Sequence, residues 1–175
     1  MSAFLLTFFC ISAIIIIIIR KYNTIYIYID KRKLNLTMKR REAREAAFKI
    51  VYCYGSNRDC EAETFYADML ENLEIEDDAY IKSTFFGTFE NVDAIDALLA
   101  EHARGWKVER MTSISRALMR LCVYEMKYAS LAYSIAINEA VELAKRYDID
   151  SAPAFINGVL NMIAEKEGLK AVQES

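Results

Sequence analysis

From residue 39 onward, apolar side chains return every three or four positions, the spacing of a helix with one face turned to a core. Over 39–54 the stripe is Ala43, Ala46, Ala47, Ile50, Val51 and Tyr54, and Gly55-Ser56-Asn57 supplies the stop. A second helix is expected over about 61–73, with Ala62, Phe65, Met69, Leu70 and Leu73 inward. The acidic link 74–78 follows, in which Asp77 or Asp78 can cap a third helix and suit its positive dipole end. That third helix is long, about 78–103, with Ile81, Phe85, Phe89, Val92, Ile95, Leu99 and His102 on one face. Gly87 inside it costs about 1 kcal/mol relative to Ala, so a bend or a close packing contact is expected there. After Gly105-Trp106, Thr112 or Ser113 caps a fourth helix to about 128, with Ile114, Ala117, Leu118, Leu121 and Tyr124 inward. A fifth helix covers about 134–147 and a sixth about 152–167. Self-similarity at a fixed spacing is missing, so the expected fold class is all-α, a helical bundle and not a solenoid.

Residues 1–37 follow another pattern: ten isoleucines, no Gly, no Pro and Asp30 as the single acid. Residues 3–19 are apolar apart from Thr7 and Ser12, and Arg20-Lys21 follow. One reading is a membrane span with its basic flank held in the cytoplasm. A signal peptide fits less well, because a charged leading region and a small-residue cleavage site are both missing. The reading favoured here is a misassigned start or apolar extension outside the fold. Ile25-Tyr26-Ile27-Tyr28-Ile29 has the low-complexity look of translated AT-rich DNA, and Met38 opens Met-Lys-Arg-Arg. The folded domain is therefore expected over 38–175, in the cytoplasm.

Charge changes the picture once 1–37 is set aside. The remaining chain carries 17 basic and 24 acidic residues, a net charge of −7. Such a domain holds a polyanion only through a local basic patch. Lys39, Arg40, Arg41, Arg44 and Lys49 form one, interrupted by Glu42 and Glu45. Arg40, Arg41 and Arg44 lie off the apolar stripe and are expected to face water or a ligand. Arg120 and Glu125 fall within an apolar helix and are expected to be buried charges satisfied by partners.

Catalytic motifs are lacking. The sequence has no glycine-rich phosphate loop, no HExxH and no GxSxG. His102 is the lone histidine, and Cys10, Cys53, Cys60 and Cys122 make no CxxC pair. Neither a zinc site nor a disulfide framework is expected, and free thiols suit a reducing compartment. Carboxylate pairs such as Asp77/Asp78, Glu74/Glu76 and Glu139/Glu142 read as solvated faces or caps. No enzyme activity, cofactor, metal or small-molecule substrate is expected.

Three strings remain distinctive: Ile137-Asn138-Glu139-Ala140-Val141-Glu142-Leu143-Ala144-Lys145, Phe155-Ile156-Asn157-Gly158-Val159-Leu160, and Leu118-Met119-Arg120-Leu121-Cys122-Val123-Tyr124-Glu125. With Arg40-Arg41 followed by Ala43-Arg44-Glu45, and with Trp106 and Arg110, they resemble the NusB antitermination family in the right order across 38–175. The resemblance implies two packed three-helix subdomains. It also implies a transcription antitermination factor that binds boxA-type single-stranded leader RNA of ribosomal transcripts with the ribosomal protein NusE. The complex would act on RNA polymerase. RNA contacts are then expected from Lys39, Arg40, Arg41 and Arg44 on phosphates and from Tyr52 and Phe155 on bases. From the residues alone, Phe155 is either core or a stacking platform. Asn138 either bonds backbone at a helix junction or meets a ligand. Gly158 either permits close helix contact or lets a ligand approach. Departures from the family pattern stand at Leu131-Ala132-Tyr133, where Pro is common, at Ser115, where an acid is common, and at Ala154, often basic. Two rival readings are a membrane-anchored helical adaptor and an RNA-binding domain of an rRNA-modifying system.

Overall fold

A computed structural model describes residues 38–56, 60–103 and 111–170, and the expectations for residues 1–37, Trp106 and Arg110 fall outside them. Seven helices occupy the described residues: α1 (Arg40–Ser56), α2 (Ala62–Asn72), α3 (Ala79–Glu90), α4 (Val92–His102), α5 (Ser113–Lys127), α6 (Tyr133–Tyr147) and α7 (Ala152–Lys166).

Helix α5 is the centre, in contact with α1, α3, α4, α6 and α7. It is accordingly buried on nearly every side, through Leu118, Met119, Leu121, Cys122 and Val123. The other helices sort into two sets around it. Helices α2 and α3 pack on α1, while α6 and α7 pack on each other and on α5, with α4 seated on α5 and α7. Between α1, α2 and α3 the core is aromatic: Phe85 is fully buried, with the rings of Tyr54, Phe65, Tyr66, Phe86 and Phe89 around it. The five residues expected inward over 61–73 are half-buried, and Tyr66, which was not among them, is the buried residue of α2, its hydroxyl donating to Asp77 at 2.8 Å.

Side-chain caps place two of the helix starts. Asp78 accepts from the backbone N–H groups of Tyr80 (2.9 Å) and Ile81 (3.2 Å) at the start of α3. Thr112 accepts from the N–H of Ser115 (2.9 Å) at the start of α5, and its hydroxyl donates to Asp148 just after α6 (2.8 Å). Ser115, where the family often has an acid, is buried and also donates to Asp148. That departure serves the fold: it helps tie the head of α5 to the tail of α6.

Two glycine expectations resolve in opposite ways. The single helix expected over 78–103 is broken at Asn91, one turn after Gly87. The Asn91 side chain donates to the Gly87 carbonyl (2.8 Å), competing with the backbone ladder and ending α3. Gly87 is instead the close-packing site, because a Cβ there would overlap the ring of Tyr124 on α5. Gly158 corrects the expectation of helix contact: it is exposed, with nothing within 4 Å of a Cβ built on it.

Candidate nucleic-acid interface

Helix α1 begins at the basic cluster, and its first two turns meet three other helices. Lys39 is exposed, and its backbone N–H donates to Glu42 (3.2 Å). Arg40 is exposed, with its guanidinium carbon 3.5 Å from the ring centroid of Tyr80 on α3. This is close enough for cation–π attraction and flat stacking. Arg41 leaves 76% of its side chain in solvent while Nε donates to Glu139 on α6 (3.0 Å).

Arg44 corrects the expectation that it faces water. Its side chain is 4% exposed and lies against Glu125 on α5, itself 2% exposed. The Arg44 Nε reaches both Glu125 oxygens (3.0 and 3.1 Å), and Nη2 reaches Oε1 at 2.9 Å. Its Nη1 lies 3.4 Å from Glu139. A residue with so many internal partners is poorly placed to neutralise a phosphate. Burial by itself would lower the Arg44 pKa, but the hydrogen bond and charge of Glu125 outweigh it and the net shift is upward. Tyr80 closes the network by donating its hydroxyl to Glu125 at 2.6 Å. Burial first, then the Glu125 charge and hydrogen bond, push the phenol pKa up, so the hydroxyl stays a donor. The expectation for Glu125 as a partner-satisfied buried charge is met. Arg120 is likewise buried and pairs through two bonds with Asp96 on α4 (2.7 and 2.6 Å).

Further along α1, Glu45 gathers Lys49 (3.1 Å), Arg146 (2.8 Å) and the hydroxyl of Tyr147. The Tyr147 hydrogen bond, aided by the two cations against the effect of burial, lowers the Glu45 pKa. Glu142 pairs with Lys145 (2.6 Å), while Arg146 turns to Glu45. A groove of about 360 Å³ between α1 and α6 is lined by Arg41, Arg146, Asn138 and four glutamates. Glu139 in this wall is 13% exposed and shared by Arg41 and Arg44, which corrects its reading as a solvated face.

The remaining sequence-derived site residues lie elsewhere. Tyr52 is half-buried farther along α1, its ring 6.3 Å from that of buried Phe48, which is 5.4 Å from Tyr147. Phe155 is half-buried in the first turn of α7, after exposed Ala154. The fold thus gathers Arg40, Arg41 and Arg44 at one junction with Tyr80, Glu125 and Glu139, and it carries Tyr52 farther along α1 and Phe155 on α7. Sequence reading missed Tyr80, whose only local signal was its place two residues after the Asp78 cap. Among the described residues no group of side chains could hold a metal ion, and no helix is long and apolar enough to cross a membrane.

The model of the NusB family matches residues 41–165. The transcription antitermination protein NusB of Nitratiruptor sp. is 42% identical over 129 residues, spanning 73% of this chain and 92% of that protein. Its counterpart in Thermoanaerobacter sp. is 38% identical over 138 residues, 76% of this chain and 95% of that protein. Among solved structures, T. maritima NusB superposes with a TM-score of 0.65 at 29% identity, covering 74% of this chain and 93% of that one. A complex of the antitermination factors NusB and NusE with double-stranded RNA gives a TM-score of 0.65 at 23% identity, over 73% and 96% of the two chains, which speaks to the fold. The chain, whose described residues form seven helices around α5 with an arginine-rich first helix locked to Glu125 and Glu139, belongs to the NusB family.

Proposed function

We propose that this chain is a transcription antitermination factor, acting by binding and without catalysis. It takes boxA-type single-stranded RNA from ribosomal leaders together with the ribosomal protein NusE and promotes read-through by RNA polymerase. The carrying observation is family membership across nearly the whole length of relatives that bear the antitermination name. NusE and RNA are the companions of the NusB in the solved complex, and the same pair is assigned to this chain. Transcription places this action in the cytoplasm, and residues 38–175 are assigned as the working domain.

Lys39, Arg40 and Arg41 are assigned to phosphates, since all three are exposed at the start of α1. Tyr52 and Phe155 are assigned to bases, which need aromatic faces when unpaired. Arg44 moves from phosphate contact to holding α1 against α5 and α6. The test is a titration of boxA-type RNA at several salt concentrations, with and without NusE. Arg40→Ala and Arg41→Ala should each weaken binding and remove about 0.7 from the slope of log K against log salt. The loss should be similar across RNA variants, because phosphate contacts carry little sequence information. Phe155→Ala should cost about 1–3 kcal/mol of binding with little change in slope. Failure of the wild-type protein to bind this RNA with or without NusE would end the proposal.

A further inference from the structure

Arg40 differs from the other arginines of α1 in what holds it. Arg41 and Arg44 are bound by carboxylates, whereas the Arg40 guanidinium lies over an aromatic face. A guanidinium paired edge-on with a carboxylate has its donors occupied by an anion. One stacked on a ring keeps its in-plane N–H groups directed outward, where a phosphate can take two at once. The ring beneath Arg40 is itself fixed. The hydroxyl of Tyr80 donates to Glu125 at 2.6 Å, and Glu125 is clamped by Arg44 through three bonds of 2.9–3.1 Å. A hydrogen-bonded assembly from α1, α3 and α5, buried at Arg44 and Glu125 and half-buried at Tyr80, therefore ends at the surface in exposed Arg40.

We infer that Tyr80 is a positioning residue of the RNA site, holding the Arg40 guanidinium in the orientation that meets a phosphate. This rests on the RNA-binding reading above and adds a residue to it. The physical effect is preorganisation. A free arginine loses rotamer freedom on binding, and a stacked one has lost much of it beforehand. The gain for one such side chain is about two- to twelvefold in affinity. It should leave the number of neutralised phosphates, and so the salt slope, unchanged.

The experiment is a double-mutant cycle on the full chain, read by RNA titration at several salt concentrations, with unfolding curves for every variant. Tyr80→Leu should weaken RNA binding about two- to twelvefold at constant slope, while Tyr80→Phe, which keeps the ring and loses its tether to Glu125, should lose less than Tyr80→Leu. On an Arg40→Ala background, Tyr80→Leu should cause no further loss. Arg40→Lys, which keeps the charge and loses the planar stack, should lose affinity like Tyr80→Leu and keep the slope. That variant carries the test if Tyr80→Leu does not fold. An equal loss from Tyr80→Leu with and without Arg40 would overturn the inference. So would wild-type affinity in Tyr80→Leu or Arg40→Lys, or a loss in Tyr80→Phe as large as that in Tyr80→Leu. These outcomes leave RNA binding by the parent protein intact, whereas a parent that does not bind removes both readings.

Discussion

Replacing Arg44 by Ala should be among the most damaging single changes in this protein, and the damage should appear in stability. The side chains of Arg44 and Glu125 are 4% and 2% exposed, so both charges have been taken out of water. Ala at position 44 leaves the Glu125 carboxylate buried, with the Tyr80 hydroxyl as a remaining donor. Removing one partner of a buried pair costs about 3–5 kcal/mol, because the survivor keeps its desolvation penalty without compensation. For a domain of this size roughly 3–4 °C of melting temperature goes with each kcal/mol, which gives a drop of about 10–20 °C. That is a large share of the ~5–15 kcal/mol that holds a typical domain together. The triple variant Arg44→Met/Tyr80→Phe/Glu125→Leu removes the charges and the hydroxyl together and should recover most of the loss, since an apolar set needs no partners. Urea and thermal unfolding followed by circular dichroism measure all three proteins, with m-values compared to confirm a common unfolding reaction. Arg44→Ala within about 1 kcal/mol of wild type would show that the guanidinium is not desolvated, and would return Arg44 to the RNA-facing set.

The two contrasting glycines give a paired test. Gly87→Ala should destabilise by about 1–3 kcal/mol through overlap with Tyr124, despite the better helix propensity of Ala, while Gly158→Ala should stabilise by up to about 1 kcal/mol. Equal effects in urea unfolding would refute the packing difference. Glu45 supplies a pH test: its folded pKa lies below the unfolded value, so its stabilisation is complete above about pH 4.3 and is lost as pH falls through the folded value. Glu45→Gln should therefore be less stable at neutral pH, with the gap to wild type closing in acid. A gap that persists at about pH 2 would show that the Glu45 charge, with its bonds to Tyr147, Lys49 and Arg146, is not its source.

Much of the fold is legible in the sequence because most helices carry their own evidence. The stripe of α1, the cap at Asp78 and the cap at Thr112 are all local features, and local features survive without knowledge of the partner. The break at Asn91 is hidden for a related reason. Val92, Ile95 and Leu99 are buried and continue the stripe of α3, so periodicity shows no interruption. The event that ends α3 is one side-chain amide bonding a carbonyl four residues back. Tyr66 is hidden because a tyrosine buries its ring when its hydroxyl finds a partner, and Asp77 is eleven residues away. Gly158 misleads in the opposite direction: its place in a helical string suggests helix contact, and its face is open.

The site is harder to read, and Arg44 shows why. A charged residue off an apolar stripe faces water by default, but that default assumes a helix covered on one side. Helix α1 is packed by α2, α3 and α5, so its second face is covered as well. Glu125 was legible as a buried charge in need of a partner, and Arg44 as a cation in need of a role. Their separation of 81 residues kept sequence alone from joining them. Joining them changes the electrostatics of the proposed RNA site. Arg44 is internal, Arg41 shares Glu139 with it, and Arg146 and Lys49 are both drawn to Glu45. The cationic surface offered to RNA is thus smaller than the count of basic residues suggests, on a domain of net charge −7. Few phosphate contacts mean a shallow salt slope and modest affinity for the chain by itself. A basic partner such as a ribosomal protein would be attracted by the acidic surface and would bring the missing cations to the same RNA. On the proposed function, joint binding with NusE therefore follows from the charge balance of the domain as well as from its family. The salt slope of the joint complex should exceed that of the chain alone by about 0.7 for each phosphate the partner neutralises.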